Sequence, residues 1–247
     1  MHAQPNLSAT AFLISDAARA AMLMALADGR ALPAGELAHA AGVTAQTASS
    51  HLAKLLDGGL LAVEQQGRHR YYRLADPQVA VALESLASIG ARRPVRRKTP
   101  TRDARKLRLA RCCYDHLAGQ AGVAITLGLI ERGFLMPASD KTFDVTPAGS
   151  AWFAGMGLDV GALRPGRHGI ARQCLDWTER RHHLAGPLGV GLLDLLCSKG
   201  WLRRAKASRE VQITPDGWTG LREQLGLTPE SIERAGEEAL QSPQTHD

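Results

Sequence analysis

The chain has 247 residues, ordinary hydrophobic content, few aromatics and a formal net charge of +6, enough for one large or two small domains with a core of their own. No apolar run approaches the length of a membrane span and no basic-then-apolar leader opens the chain; four cysteines are too few for a disulfide framework of this size, so a cytoplasmic protein with reduced thiols is expected. The positive charge is concentrated: residues 91–111 hold ten Lys and Arg against one acidic residue, and the chain on either side is slightly acidic.

Ala17 to Ala27 is periodic at helical spacing and stops at Gly29. "LPAGELAHAAG" places Pro33 near the first turn of a short helix that Gly42 closes. Thr44 then sits where an N-cap belongs, ahead of a helix whose Ala48, Leu52 and Leu55 make a core-facing stripe. The other face carries Gln46, Thr47, Ser49, Ser50 and Lys54, with no acid before Asp57. Short donors and acceptors with one lysine suit base edges and phosphates better than open water. Helix, glycine turn, helix is the spacing of a helix-turn-helix. Leu60–Glu64 and His69–Leu74 read as strands around "QQGR", a hairpin that puts Arg68, His69 and Arg70 at the tip of a wing within reach of a DNA backbone. At least one of Tyr71 and Tyr72 is expected to pack inward. "DPQVAVALESLASIG", apolar at Val79, Leu83 and Leu86, suits a helix–helix interface.

"SDAAR…LMALADG", "SSHLAKLLDGGLL" and "GRHRYYRLAD", in this order, resemble the winged-helix repressors of the arsenic-repressor (ArsR) family over about residues 10 to 90. The resemblance implies a homodimer joined by the first helix and the helix after the wing, and a helix from Thr44 lying in the major groove of operator DNA. Gln46, Thr47 and Ser50 are then candidates for base edges, Lys54 for phosphate and Ser49 for a further DNA contact, and a near-palindromic operator is expected. The cysteine motif that metal sensors of the family carry on the first helix of the helix-turn-helix is replaced here by "AGELAHA", and the helix after the wing has no histidine. Metal sensing at either place is not expected.

Residues 91–111, broken by Pro94 and Pro100, read as a basic linker or the exposed start of a helix, and could supply phosphate contacts to a nearly neutral DNA-binding domain. Beyond them lies a duplication. Gly119, Gly122 and Gly133 recur 67 residues later as Gly186, Gly189 and Gly200, and Thr146, Pro147 and Gly149 recur 68 later as Thr214, Pro215 and Gly217. Cys113 and Asp115 correspond to Cys174 and Asp176, with six extra residues before the second "HLAG". Each unit resembles the last helix and wing of a winged helix. The paired glycines are expected to let the two repeat helices approach closely; the alternative is an unusual turn at each helix start.

All four tryptophans fall in this half, as ordinary core or, with Trp177 foremost, as the lining of an effector pocket between the repeats. Cys112, Cys113, Asp115, His116, Cys174, Asp176, His182 and His183 cluster near the repeat starts, but their spacing is set by the duplication and contains no CxxC pair. No residue is therefore assigned to a metal and no cofactor is expected; the duplicated histidines are expected to bond backbone near a helix start. Cys113, beside Arg111 and His116, is the candidate for a reactive thiol, and Cys197 reads as buried and inert.

The expected fold is mainly α with small β wings, α+β: a winged helix over 1–90, a basic connector over 91–111, a duplicated sensor domain over 112–227 (repeats near 113–152 and 174–220) and an acidic tail over 228–247. The expected function is a homodimeric repressor that binds double-stranded operator DNA, with Cys112, Cys113, His116, Cys174, Trp177 and His183 as candidate sensor residues for a small-molecule effector. A thiol switch or metal site at Cys113 and Cys174 is one alternative. An enzyme domain with a DNA-binding appendage is another, against which stands the lack of a phosphate loop, nucleophile elbow or HExxH.

Overall fold

The computed structural model describes residues 7–66, 69–90, 101–166, 168–206 and 208–234, in two units that divide between Leu83 and Glu84. The first opens with α1 (Leu7–Ser15) and α2 (Ala17–Ala25). Asp16 caps α2 by accepting from the Arg19 amide at 2.9 Å, and the buried Arg19 side chain donates to the Leu13 and Phe12 carbonyls at 2.6 and 2.7 Å. Carbonyls left without partners at the end of α1 are thereby satisfied. The apolar period does not mark α1, and α2 stops two residues before Ala27, in a turn that reaches Gly29 at φ +78°.

A short strand, β1 (Leu32–Pro33), leads into α3 (Ala34–Ala41), which ends on Gly42 in the left-handed region at φ +64°. Thr44 then caps α4 (Ala45–Asp57), its Oγ1 accepting from the Thr47 amide at 3.2 Å. Strands β2 (Leu61–Gln66) and β3 (His69–Leu74) pair antiparallel from Leu61 opposite Leu74 to Gln66 opposite His69. The strand β1 adds to the free edge of β3 opposite Tyr71 and Tyr72; two residues are too few for alternation to reveal. Tyr72 is the tyrosine that packs inward. Gly67 and Arg68, the expected hairpin tip, lie outside the described residues. The helix α5 (Pro77–Gly90) follows the wing. Met22, Leu23, Leu26, Leu37, Leu52 and Leu55 are at most 1% exposed and form the centre of this unit.

Of the basic connector, residues 91–100 lie outside the described residues. The remainder forms α6 (Arg102–Leu109), capped by Thr101. Its charges are partly spent inside the second unit: Lys106 pairs with Glu210 at 3.5 Å, Arg108 with Glu179 at 2.9 Å, and Arg111, just beyond the helix, with Asp176 at 3.0 Å. Those three are structural cations, so the block is not uniformly available to phosphates.

Each repeat then runs hairpin, helix, hairpin, helix. The first is β4 (Arg111–Cys113), β5 (His116–Ala118), α7 (Gly119–Glu131), β6 (Leu135–Ala138), β7 (Thr142–Val145) and α8 (Pro147–Met156). The second is β8 (Arg172–Leu175), β9 (His182–Ala185), α9 (Gly186–Ser198), β10 (Leu202–Arg204), β11 (Val211–Ile213) and α10 (Pro215–Leu225). The leading hairpins and the closing helices extend the expected helix-and-wing unit at both ends. Thr146 and Thr214 cap α8 and α10, each accepting from an amide at 3.0 Å, that of Gly149 or Gly217. A Cβ at either glycine would lie 2.1 Å from the carbonyl oxygen of Phe134 or Trp201, which accounts for the TPxG signature.

The repeats exchange partners. The β6–β7 hairpin joins β8 and β9 in one four-stranded sheet, ordered β6-β7-β8-β9. The Phe143 amide donates to Ala171 at 3.0 Å, and in the equivalent place Val211 donates to Ala110 at 3.0 Å. Each helix likewise packs on the other repeat's second strand, α7 on β9 and α9 on β5. The expected close approach of the two repeat helices to each other is therefore not what the fold shows: each helix lies on a strand of the other repeat, and the glycines serve another purpose. Gly119 and Gly186 open their helices at φ +81° and +76°, the unusual turn of the alternative, while a Cβ on Gly122 or Gly189 would lie 2.5 Å from the Leu117 or Leu184 carbonyl oxygen of its own preceding strand. Past α10, Ile232 is fully buried, so the tail docks before its end; residues 235–247 lie outside the described residues.

Candidate nucleic-acid interface and a buried cysteine–histidine cluster

Ala48, Leu52 and Leu55 anchor α4 in the core, which turns Gln46, Thr47, Ser49, Ser50 and Lys54 outward, all exposed. Thr47 Oγ1 lies 2.9 Å from Thr44 Oγ1, so the first turn is held by its own hydroxyls. His51, on the same helix, faces Asp16 at 3.8 Å and belongs to the scaffold rather than the outer face. On the wing, Arg70 is exposed and its guanidinium stands 5.7 Å from the Tyr72 ring. His69 is placed opposite Gln66 by backbone register, and Arg68 lies outside the described residues. A polar, sparsely charged helix face on a rigid apolar base, followed by a two-stranded wing, is an arrangement that can enter a major groove.

In the second unit the structure brings together residues that spacing leaves apart. Cys113 and His116 stand opposite each other across the β4–β5 hairpin, and Cys174 and His183 across β8–β9. Packing the two hairpins face to face puts Cys113 Sγ 3.9 Å from Cys174 Sγ and His116 Nε2 3.1 Å from His183 Nε2. Four donor atoms, one from each residue, lie within 4.8 Å of one another. Cys113, His116 and His183 are at most 3% exposed, and Cys174 is partly buried.

Carboxylates stand behind both histidines. Asp115 Oδ1 is 2.9 Å from His116 Nδ1, and Asp176 Oδ2 is 3.5 Å from His183 Nδ1. The second contact is of ion-pair length, and His183 Nδ1 has no hydrogen-bond partner among the described residues. Asp176 is fully buried; both of its oxygens accept from Arg111 Nη2 at 3.0 Å, and it accepts further from the Gly119 amide at 2.7 Å and from the Thr178 hydroxyl at 2.7 Å. Burial, the largest influence, would raise its carboxyl, but the Arg111 guanidinium, the charge of His183, the Thr178 hydroxyl and the Gly119 amide together hold it below the ordinary carboxylate range.

Several expectations change here. The duplicated histidines face each other instead of bonding backbone. Cys113 is not an accessible, low-pKa thiol: its hydrogen bond to Cys174 and its burial push it up to about 12. Cys112 alternates to the opposite side of β4, where it joins the apolar core. Trp177 covers the Arg111 guanidinium at 4.7 Å. Trp152 stacks on Phe134 at 5.2 Å and donates to Gln224, while Trp201 and Trp218 pack against the core. The open cleft of about 910 Å³ beside β7 is lined by Phe143 as its one aromatic, so the tryptophans do not frame it. Cys197 is half-buried, with its thiol raised by burial. Spacing missed the pairing of Asp176 with Arg111, 65 residues apart; the one hint was the recurrence of Asp115 as Asp176.

A family model described as a helix-turn-helix domain matches residues 14–64. YdfF of Bacillus subtilis (strain 168), an uncharacterized HTH-type transcriptional regulator, is 42% identical over 223 residues, which are 90% of this chain and 98% of that protein. The HTH-type transcriptional regulator CmtR of Mycobacterium bovis is 38% identical over 76 residues, 31% of this chain and 64% of its own length. Among solved structures, the homodimeric winged helix-turn-helix DNA-binding domain of Mb0332 from Mycobacterium bovis aligns with 40% of this chain and 97% of its own, at 23% identity and a TM-score of 0.33. The chain belongs to the family of helix-turn-helix transcriptional regulators that includes YdfF.

Proposed function

We propose that the protein is a homodimeric repressor, acting in the cytoplasm, whose first unit reads operator DNA with α4 and whose duplicated second unit senses the signal that changes operator affinity. The observation that carries the reading is the outer face of α4: Gln46, Thr47, Ser49, Ser50 and Lys54 are all exposed on a helix whose inner face is sealed by Ala48, Leu52 and Leu55. Supporting the dimer, α1 leaves Leu7 at 77% and Phe12 at 68% exposure, and α5 leaves Ile89 at 66%. Large apolar side chains left in water on these two helices are of the kind that a partner surface covers. The effector acts by preferring one dimer geometry over the other, so that the spacing of the two α4 helices fits the operator in one state alone.

The test is selection of duplexes by the full-length protein, followed by titration of the selected site across salt concentrations. Gln46→Ala and Ser50→Ala relax base preference by about 1–3 kcal/mol per lost contact, whereas Lys54→Ala weakens all sequences alike and lowers the salt slope by about one. Sedimentation is expected to show a dimer that Phe12→Asp dissociates. Unselective binding unaffected by these substitutions would refute the assignment of α4.

A further inference from the structure

We propose that Cys113, His116, Cys174 and His183 are the four ligands of a divalent transition-metal site of zinc's class, built from one cysteine and one histidine of each repeat.

Three independent features carry this. The first is donor chemistry: two thiols and two imidazoles form the set that selects zinc and its borderline-soft relatives over magnesium or calcium. The second is size. Bonds of about 2.3 Å to sulfur and 2.0–2.1 Å to nitrogen give tetrahedral edges of about 3.8 Å between sulfurs and 3.3 Å between nitrogens. The sulfurs here are 3.9 Å apart and the Nε2 atoms 3.1 Å apart.

The third feature is the placing of a carboxylate behind the outer nitrogen of each imidazole. Asp115 accepts from His116 Nδ1, and the buried Asp176 carboxylate stands nearest His183 Nδ1. His116 Nδ1 carries its proton toward Asp115, so its Nε2 turns a lone pair to His183 Nε2 at 3.1 Å; a His183 proton on Nδ1, the nitrogen nearest Asp176, aims a second lone pair at the same point. In that arrangement the two nitrogens need a cation between them, a shared proton in the empty site or the metal ion in the filled one. A carboxylate behind the outer nitrogen is the usual support of a metal-bound imidazole. The burial of Cys113, His116 and His183 leaves no open coordination position, which makes the site a closed, structural kind rather than a catalytic one.

Binding is a proton exchange without redox change. Two S–H bonds break, two metal–sulfur bonds form, two protons leave to solvent, and two thiolates neutralise the divalent charge. Because the ligands come from both repeats, the ion ties the two leading hairpins together. Its use as the regulatory signal rests on the repressor reading above; the binding itself does not.

The experiment is metal analysis and native mass spectrometry of the reduced, full-length protein, then titration of the chelator-stripped protein with Co(II) and Zn(II). One metal per chain and an intense tetrahedral Co(II) spectrum with sulfur-to-metal charge transfer, bleached by one equivalent of Zn(II), are expected. Cys113→Ser and His183→Ala lower Co(II) affinity by more than about 100-fold, and Asp115→Asn, which keeps the size of a half-exposed side chain, lowers it about 10–100-fold while the spectrum stays tetrahedral. Should the first two variants fail to fold, Asp115→Asn and the stripped wild type still decide. Failure of the stripped, folded wild type to take up either metal would overturn the proposal, as would an octahedral spectrum, unchanged affinity in all three variants, or a Cys113–Cys174 disulfide as the resting state. Operator binding of the stripped and metal-loaded forms, measured separately, tells loss of the repressor reading from loss of the site.

Discussion

Removing the Asp176 carboxylate leaves a guanidinium in the interior with nothing to oppose its charge. Arg111 is 1% exposed, donates to both Asp176 oxygens at 3.0 Å, and is sealed from water on one face by Trp177. The same carboxylate also holds the Gly119 amide, where α7 begins at positive φ, and the Thr178 amide and hydroxyl in its own loop. Breaking a buried pair by removing one partner costs about 3–5 kcal/mol, because the other charge stays desolvated. For a unit of this size that is a fall in melting temperature of about 6–20 °C. Thermal and urea denaturation of Asp176→Ala against wild type, in the full chain, measures it. Asp194→Ala, which removes the partner of Arg204 in a pair 44% and 64% exposed, is the control and is expected to move stability by less than about 1 kcal/mol. A loss below about 1 kcal/mol for Asp176→Ala would show that water reaches Arg111 and refute the reasoning. Partial recovery in the double variant Arg111→Met/Asp176→Leu would confirm that the stranded charge, and not lost packing, is the cause.

Two further perturbations test the packing. Gly149→Ala or Gly217→Ala forces a methyl to 2.1 Å from a backbone oxygen and is expected to cost about 1–3 kcal/mol, whereas Gly155→Ala in the same helix α8 meets nothing within 4 Å and is expected to stabilise by up to about 1 kcal/mol; urea midpoints separate the three. Leu52→Ala, at 1% exposure beneath the α4 face, is expected to cost about 2–5 kcal/mol and to weaken operator binding in proportion to the unfolded fraction, as circular dichroism and binding under one set of conditions will show.

The winged helix was legible because its signals are local. Gly42 and Thr44 act on neighbouring residues, and the stripe of Ala48, Leu52 and Leu55 fixes which side of α4 is outside within two turns. The duplication was legible as a pattern, but its consequences were not. Cys113 and Cys174 are 61 residues apart and His116 and His183 are 67 apart, so no fixed spacing joins the four; they meet through cross-strand pairing within each hairpin and packing between hairpins. The paired glycines had two readings of equal local cost, and the choice depended on a carbonyl of the preceding strand. The basic block misled for a related reason: net charge counts Lys106, Arg108 and Arg111 as surplus, while their acidic partners lie roughly 65 to 105 residues downstream.

The exchange of strands between repeats has a consequence for how the chain is made. A ribosome delivers the first repeat with its sheet incomplete: Thr142 waits for Arg172, and Cys112, whose amide donates to Arg209 at 2.8 Å, waits for a residue almost a hundred positions later. At about 5–20 residues per second, that second wait lasts roughly 5–20 s. During it the nascent first repeat exposes unpaired strand edges and an apolar strip of α7 meant for β9. The winged helix can finish folding as it emerges. The duplicated unit can do so only once nearly all of it has left the exit tunnel, which makes this half of the molecule the client that a chaperone would hold.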